Sequence, residues 1–178
     1  VKGTEVKIAE DGEILVRGEL IMQGYWQNKN ATKEVIKNGW IHTGDIGIID
    51  QNNHIQITDR KRDIIVNSGG DNISPQRVEG LLCLEEEIAQ AVVFGDKRPH
   101  LVALIVAEEI WIKSCKNPPN EAMRAIINRA NKKLSNIEKI RRFILTDTPF
   151  STENGQLTPT MKVRRHIIYE IYHDKLEA

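Results

Sequence analysis

No apolar run in this sequence exceeds the length of a β-strand. The stretch Leu101–Ala107 is typical, whereas a helix that spans a bilayer needs about 20 such residues. A membrane-spanning segment is therefore not expected. Cysteine is almost absent: Cys83 and Cys115 share neither a Cys-x-x-Cys spacing nor a neighbouring His pair. That argues against a zinc site or a disulfide framework, predicts no protein-held metal, and fits a reducing cytoplasm. Charge of one sign is missing too, since 25 Lys and Arg balance 25 Asp and Glu. The molecule as a whole exerts no strong pull on a polyanion or an anionic membrane, so any anion binding is local. Aromatic residues make up only 5% of the chain. With zero net charge, that scarcity argues against nucleic-acid binding through the arginines at 60, 62, 141, 142, 164 and 165. No charged-then-apolar leader opens the chain, and its abrupt start at Val1 in strand-like sequence reads as a fragment.

What is present divides into two grammars. Residues 1–59 read as short strands and turns: 5–9, then Asp11-Gly12, then 13–17, a helical insertion over 29–37 broken by Gly39, and further strands at 40–41, 46–50 and 54–58. This is an antiparallel meander, part of a β-barrel, and marginal by itself because its edges and faces are uncovered. From Arg60 the pattern becomes mixed helix and strand. Ser74 caps a helix with Pro75 in its first turn, residues 88–94 and 101–107 are strands, and Pro118-Pro119 ends a helix over 108–115. Asn120 then caps a helix whose Ala122, Ile126 and Ala130 share a face. Residues 142–146 return as strand, and a closing helix carries a Val163, Ile167, Ile171 stripe with Ile168 and Tyr172 beside it. The expected fold class is α+β, with domains 1–59 and 60–178.

Three constellations can carry chemistry. In the first, Thr43-Gly44 turns the backbone and delivers Asp45 at the start of a strand. A carboxylate there can accept hydrogen bonds from two ribose hydroxyls; the simpler reading is a Gly-Asp turn that satisfies nearby amides. In the second, Arg60-Lys61-Arg62 sits where the composition changes, followed by Gly69-Gly70. Fixed guanidinium charge there suits a phosphate or ribose, but a solvated linker carries the same residues. The two glycines call for positive backbone angles or close approach by a ligand, which a plain bulge also explains. In the third, Asn154-Gly155 turns into the hydroxyl-rich loop 157–160, and Lys162 enters the last helix at its N-terminal end. The helix dipole disfavours a positive group there, which hints at function, although an exposed lysine at a helix start is common.

Together these residues resemble the adenylate-forming superfamily of acyl-CoA synthetases, luciferases and peptide-synthetase adenylation domains. The resemblance runs through Gly12-Glu13-Ile14, Gly18, Gly24-Tyr25-Trp26, Thr43-Gly44-Asp45, Asp59-Arg60, Gly69-Gly70 with Glu79 beyond it, and Lys162, in that order. It implies the end of a large N-terminal domain with a distorted barrel, then a small mobile domain that swings between two half-reactions. It implies that Asp45 binds the ATP ribose and that Arg60 supports ribose and phosphates. Lys162 would bridge the acyl carboxylate and the α-phosphate, Arg62 would be the hinge, and Gly69 and Gly70 would line the pantetheine tunnel. Arginine departs from the Asp or Lys common at the hinge.

The loop from Asn154 to Arg165, with Met161 in place of a glycine before the lysine, is most like the long-chain fatty acyl-CoA synthetases. The substrates implied for the complete enzyme are fatty acid, ATP with Mg2+ and CoA, none held tightly by these residues alone, in a cytoplasmic protein peripheral at the membrane. No phosphate loop ending in Pro-Lys-Gly occurs in the 178 residues. The chain is therefore expected to be inactive without a partner segment, the missing N-terminal domain. A non-catalytic binding module built on this fold, or another acyl or aryl adenylate-forming ligase, is the alternative.

Overall fold

In a computed structural model, residues 3–115 and 117–177 are described. They cluster into two compact units, residues 1–64 and 65–178.

The first unit is an open antiparallel sheet. Strands β1 (Thr4–Ile8) and β2 (Glu13–Gly18) form a hairpin around the Asp11-Gly12 turn. After helix α1 (Lys29–Val35), the short β3 (Ile36–Lys37) turns directly into β4 (Trp40–Ile49), which also pairs with β2 and with β5 (Ile55–Arg60). Asn38 and Gly39 both have positive φ, 52° and 78°. That is the two-residue turn whose twist matches a hairpin. The helix thus ends two residues earlier than expected, and Gly39 closes a hairpin instead of breaking the helix. A 3-10 turn at Lys61–Asp63 ends the unit. The described strands form no closed barrel. Among its described residues Ile14 and Leu15 are the buried large apolar ones, while Ile49, Ile55 and Ile57 on one face and Ile48 on the other are 37–61% exposed.

The second unit has a proper core. A two-stranded ribbon, β6 (Ile65–Val66) and β7 (Asn72–Ile73), leads to α2 (Pro75–Leu82). Ser74 Oγ accepts the Arg77 N–H at 3.2 Å and Pro75 opens the helix, so the first turn is capped as its sequence predicts. Strands β8 (Ile88–Phe94), β9 (Leu101–Ala107) and β10 (Ile140–Leu145) make a sheet with β9 in the centre, antiparallel to β8 and parallel to β10. All seven residues of β9 are buried, as a strand covered on both faces requires. Leu101, Ala103 and Ile105 pack toward Val78 and Leu82 of α2 and Met123 and Ile127 of α4 (Pro119–Ala130). Val102, Leu104 and Val106 pack toward Ile168, Tyr172 and Leu176 of α5 (Arg165–Glu177). Helix α3 (Glu109–Ser114) and α4 connect β9 to β10.

Two helix readings are corrected. Helix α4 starts at Pro119 behind Pro118, because a proline needs no N–H partner in the first turn. Its buried face is Met123, Ile126, Ile127 and Ala130, with Asn120 already helical. In α5 the buried stripe is Ile168, Tyr172 and Leu176, displaced from the expected one; Val163 and Ile171 are exposed. Tyr172 tips the choice, since its hydroxyl finds Thr146 Oγ1 at 2.9 Å in the core.

Candidate functional site

Asp45 and Arg60 meet across the β4–β5 ladder. They are register partners, and Arg60 Nε lies 2.9 Å from Asp45 Oδ1. The guanidinium is about half exposed and the carboxylate largely covered, at 49% and 20%. One face of the pair is thus free for a polar ligand while the other is fixed by the sheet. The Asp59 carboxylate, itself buried, accepts the Arg60 N–H at 2.7 Å and holds the strand end.

The backbone at Thr43–Asp45 differs from the expected turn. Trp40–Ile49 is one continuous strand, and Thr43-Gly44 is a bulge within it. Glu13 pairs with Ile46 and Leu15 with His42, so four steps along β4 face two along β2. Gly44 takes φ +72° to absorb the excess, as a bulge glycine does. Thr43 locks it: its hydroxyl donates to Ile14 O at 2.7 Å and accepts the Asp45 N–H at 3.1 Å.

Sequence reasoning quoted Glu13 within a motif but gave no role to this group, which lies beneath the bulge. Glu13 is buried; its Oε1 accepts the Gly44 N–H at 2.9 Å, while Oε2 lies 2.8 Å from His42 Nδ1 and 3.0 Å from Lys61 Nζ. Lys61 also donates to Asp11 Oδ2 at 2.6 Å. Burial pushes the Glu13 carboxyl up, but the hydrogen bonds from His42, Lys61 and the Gly44 amide outweigh it and hold the group below the ordinary glutamate range. The Asp11 carboxyl is lowered chiefly by the Lys61 ammonium, which is raised in turn by its bonds to Asp11 and Glu13. The available signal was an acidic residue opening a strand whose next two residues are apolar.

The remaining residues read as functional lie beyond or at the end of the first unit. Arg62 sits in the 3-10 turn with its side chain 86% exposed, 3.6 Å from Asp63. Gly69 and Gly70 occupy the tight turn of the β6–β7 ribbon, where Asn67 Oδ1 accepts the N–H groups of Gly69 and Asp71, each at 2.9 Å. Only Gly70 has positive φ, +85°, and a side chain there would meet nothing. At Gly69 a Cβ would lie 3.3 Å from Asn67 Oδ1. The turn therefore explains Gly70 by backbone angle and leaves Gly69 explained only by close packing.

Lys162 is not in the helix. Helix α5 begins at Arg165, and Lys162 precedes it in a small loop closed by the Leu157↔Val163 bridge. Thr158 Oγ1 accepts the Lys162 N–H at 3.0 Å, and Met161 stands at φ +61°. The dipole argument for Lys162 falls with that placement. Its side chain is exposed and makes no ion pair among the described residues. What fixes the loop is the next turn of chain. Arg165 donates to Glu79 Oε1 at 2.6 Å and Oε2 at 3.2 Å and to Val93 O at 2.8 Å, while Glu79 also accepts the Val93 N–H at 2.8 Å. This fork ties α2 and α5 to the outer edge of β8. No group of three His, Cys, Asp or Glu side chains among the described residues suits a metal ion. No described helix is long and apolar enough to cross a membrane.

Comparison with known proteins gives the chain a family. Residues 62–178 match the family described as AMP-binding enzyme C-terminal domain. A long-chain-fatty-acid–CoA ligase of Mycobacterium tuberculosis, FadD15, is 36% identical over 100% of this chain and 32% of its own length. Mouse long-chain-fatty-acid–CoA ligase 5 is 30% identical over 96% of this chain and 28% of its own. The chain thus spans about a third of the length of the curated relatives it matches. The adenylation domain of a carboxylate reductase from Mycobacterium chelonae shares the fold at a TM-score of 0.85 and 21% identity, over 99% of this chain and 30% of that one. An amide bond synthetase, McbA of Marinactinospora thermotolerans, aligns at a TM-score of 0.71 and 27% identity, over 96% of this chain and 35% of that one.

Proposed function

We propose, because the chain belongs to the AMP-binding enzyme C-terminal domain family, that it forms the C-terminal part of a long-chain fatty acid–CoA ligase. The observation that carries this reading is the Asp45–Arg60 pair, 2.9 Å apart with its guanidinium half exposed. One carboxylate oxygen engages Arg60, and the other remains to accept ribose hydroxyls; the guanidinium then faces the phosphates. In this reading residues 1–59 end the large domain and its barrel, and residues 60–178 are the mobile domain. The bare isoleucines of the first unit suit a sheet that another segment covers.

The reaction needs two steps. A fatty carboxylate oxygen attacks the α-phosphorus of ATP, the bond to pyrophosphate breaks, and acyl-adenylate forms. The thiolate of CoA then attacks the acyl carbon and AMP leaves. In the first step an anionic carboxylate must approach an anionic phosphoryl group, whose charge shifts toward the departing pyrophosphate, and an ammonium held between the two offsets their repulsion. Lys162, exposed on its loop and without an ion pair among the described residues, is the group assigned to that task. Mg2+ travels with ATP, and the donor set described above offers it no site. Arg62, its exposed side chain 3.6 Å from Asp63 at the end of the first unit, is the assigned pivot. Gly69 is assigned to the thiol arm, since its backbone angle does not demand a glycine and a Cβ there would crowd only Asn67 and Asp71 of the same turn.

The phosphate loop must come from a segment outside these 178 residues, since none of them carries it. The test exchanges the matching third of FadD15 for this chain and follows ATP–pyrophosphate exchange with a long-chain fatty acid. The chimera is expected to be active and the 178-residue chain silent. Exchange by the isolated chain, or a folded chimera without activity, would overturn the reading.

A further inference from the structure

We propose that Glu13 is a positioning residue that sets the Asp45–Arg60 geometry from both sides at once. Its two oxygens reach the chain neighbours of both members of the pair, Oε1 in the bulge of β4 and Oε2 at the residue that follows β5 as well as at His42 of β4. Oε1 accepts the N–H of Gly44, one residue before Asp45, at 2.9 Å. Oε2 receives the ammonium of Lys61, one residue after Arg60, at 3.0 Å, and lies 2.8 Å from His42 Nδ1. A single buried carboxylate therefore ties the bulge of β4 to the end of β5. It does so where a bulge and a strand end would otherwise be the loosest parts of the ladder.

Among the described residues, the side chains facing the Glu13 carboxylate are Lys61, His42 and, through Lys61, Asp11. Lys61 is not spare surface charge: two carboxylates hold it, one of them buried. That separates it from its neighbour Arg62, whose side chain is 86% exposed. A glutamine at position 13 can keep one oxygen on the Gly44 amide but presents an N–H2 to Lys61. Glu13→Gln therefore spares the Asp45 side and releases the Arg60 side. Lys61→Met releases the Arg60 side alone. The usefulness of this geometry to a ribose rests on the function proposed above; the positioning itself does not.

The experiment uses the 15N-labelled 178-residue chain, with the Arg60 Nε–H signal assigned by its loss in Arg60→Lys. Exchange of that proton should quicken about tenfold in Glu13→Gln and in Lys61→Met, the change expected when one charge-assisted contact goes. The double variant should be no faster than either single one, because both remove the same link. Amides of Leu15 and Val16 should keep their shifts in all three, which shows that the sheet stands. Unchanged Arg60 exchange in both single variants, or additive effects in the double one, would overturn the positioning role. AMP binding is then measured by calorimetry on the chimera with FadD15, which supplies the remainder of the enzyme. Its Lys61→Met form should bind AMP about tenfold more weakly than the unmodified chimera. Quickened exchange in the variants together with no AMP binding by the folded chimera would support the positioning and refute the nucleotide reading.

Discussion

The fork between Glu79 and Arg165 should be among the costliest polar contacts to remove. Glu79→Ala strips the acceptor from the Val93 N–H, 2.8 Å away, and from two Arg165 donors, 2.6 and 3.2 Å away. Val93 is fully buried, and the two side chains are only 12% and 22% exposed, so water replaces little of what is lost. An orphaned buried donor costs about 1–3 kcal/mol. Breaking one partner from a well-covered ion pair costs about 3–5 kcal/mol, and the partial exposure of Arg165 places the change at the low end. We expect a loss of about 3 kcal/mol in urea unfolding followed by circular dichroism, with a fall in Tm of about 10 °C. Arg165→Ala should cost less, about 2 kcal/mol, because Glu79 keeps the Val93 N–H and no buried donor is orphaned. The double variant should fall short of the sum by about 1.5 kcal/mol. A loss below about 1 kcal/mol for Glu79→Ala, or strictly additive single effects, would refute the claim that the fork braces the start of α5 and the Lys162 loop.

Two further outcomes follow from the sites described. The Glu13 carboxyl lies below its ordinary value in the folded chain, so its contribution is complete above the unfolded value near 4.5 and is lost as pH falls through the lower folded value. Urea midpoints of the first unit measured from pH 6 to 3 should therefore drop on acidification, and Glu13→Gln should flatten that dependence; an equally steep curve in the variant would contradict it. Gly70→Ala should destabilise the ribbon by about 1 kcal/mol because of its φ of +85°, whereas Gly69→Ala should cost less in stability yet slow thioester formation in the chimera. Equal effects of the two on CoA transfer would remove the distinction drawn between them.

The elements that were plain in the sequence are those whose burial is simple. Leu101–Ala107 is apolar at every position and lies in the middle of its sheet; Ser74-Pro75 carries its cap and first turn in two residues. Local pattern failed where tertiary contacts chose between equal options. Trp40–Ile49 looked like two strands because Gly44 interrupts the alternation, and only the cross-strand partner Glu13 makes the bulge preferable to a turn. The last helix offered two adjacent apolar stripes, and the hydroxyl of Tyr172 selected the one that reaches Thr146. Lys162 was carried into that helix because Val163 fits its period, whereas the Leu157↔Val163 bridge takes Val163 for the loop. Of the site, the order of motifs pointed to Asp45, Arg60 and Lys162, but Glu13 and the Glu79–Arg165 fork needed partners 29 to 86 positions distant.

The assignment of Lys162 to adenylation is the centre of the account, and separating the two half-reactions tests it most directly. In the chimera with FadD15, Lys162→Ala should lower ATP–pyrophosphate exchange by at least about 100-fold, the loss typical of a charge-stabilising group removed from a transition state. The same variant, given preformed acyl-adenylate and CoA, should make acyl-CoA at close to the unmodified rate. Normal exchange in the variant, or an equal collapse of both half-reactions, would contradict the assignment.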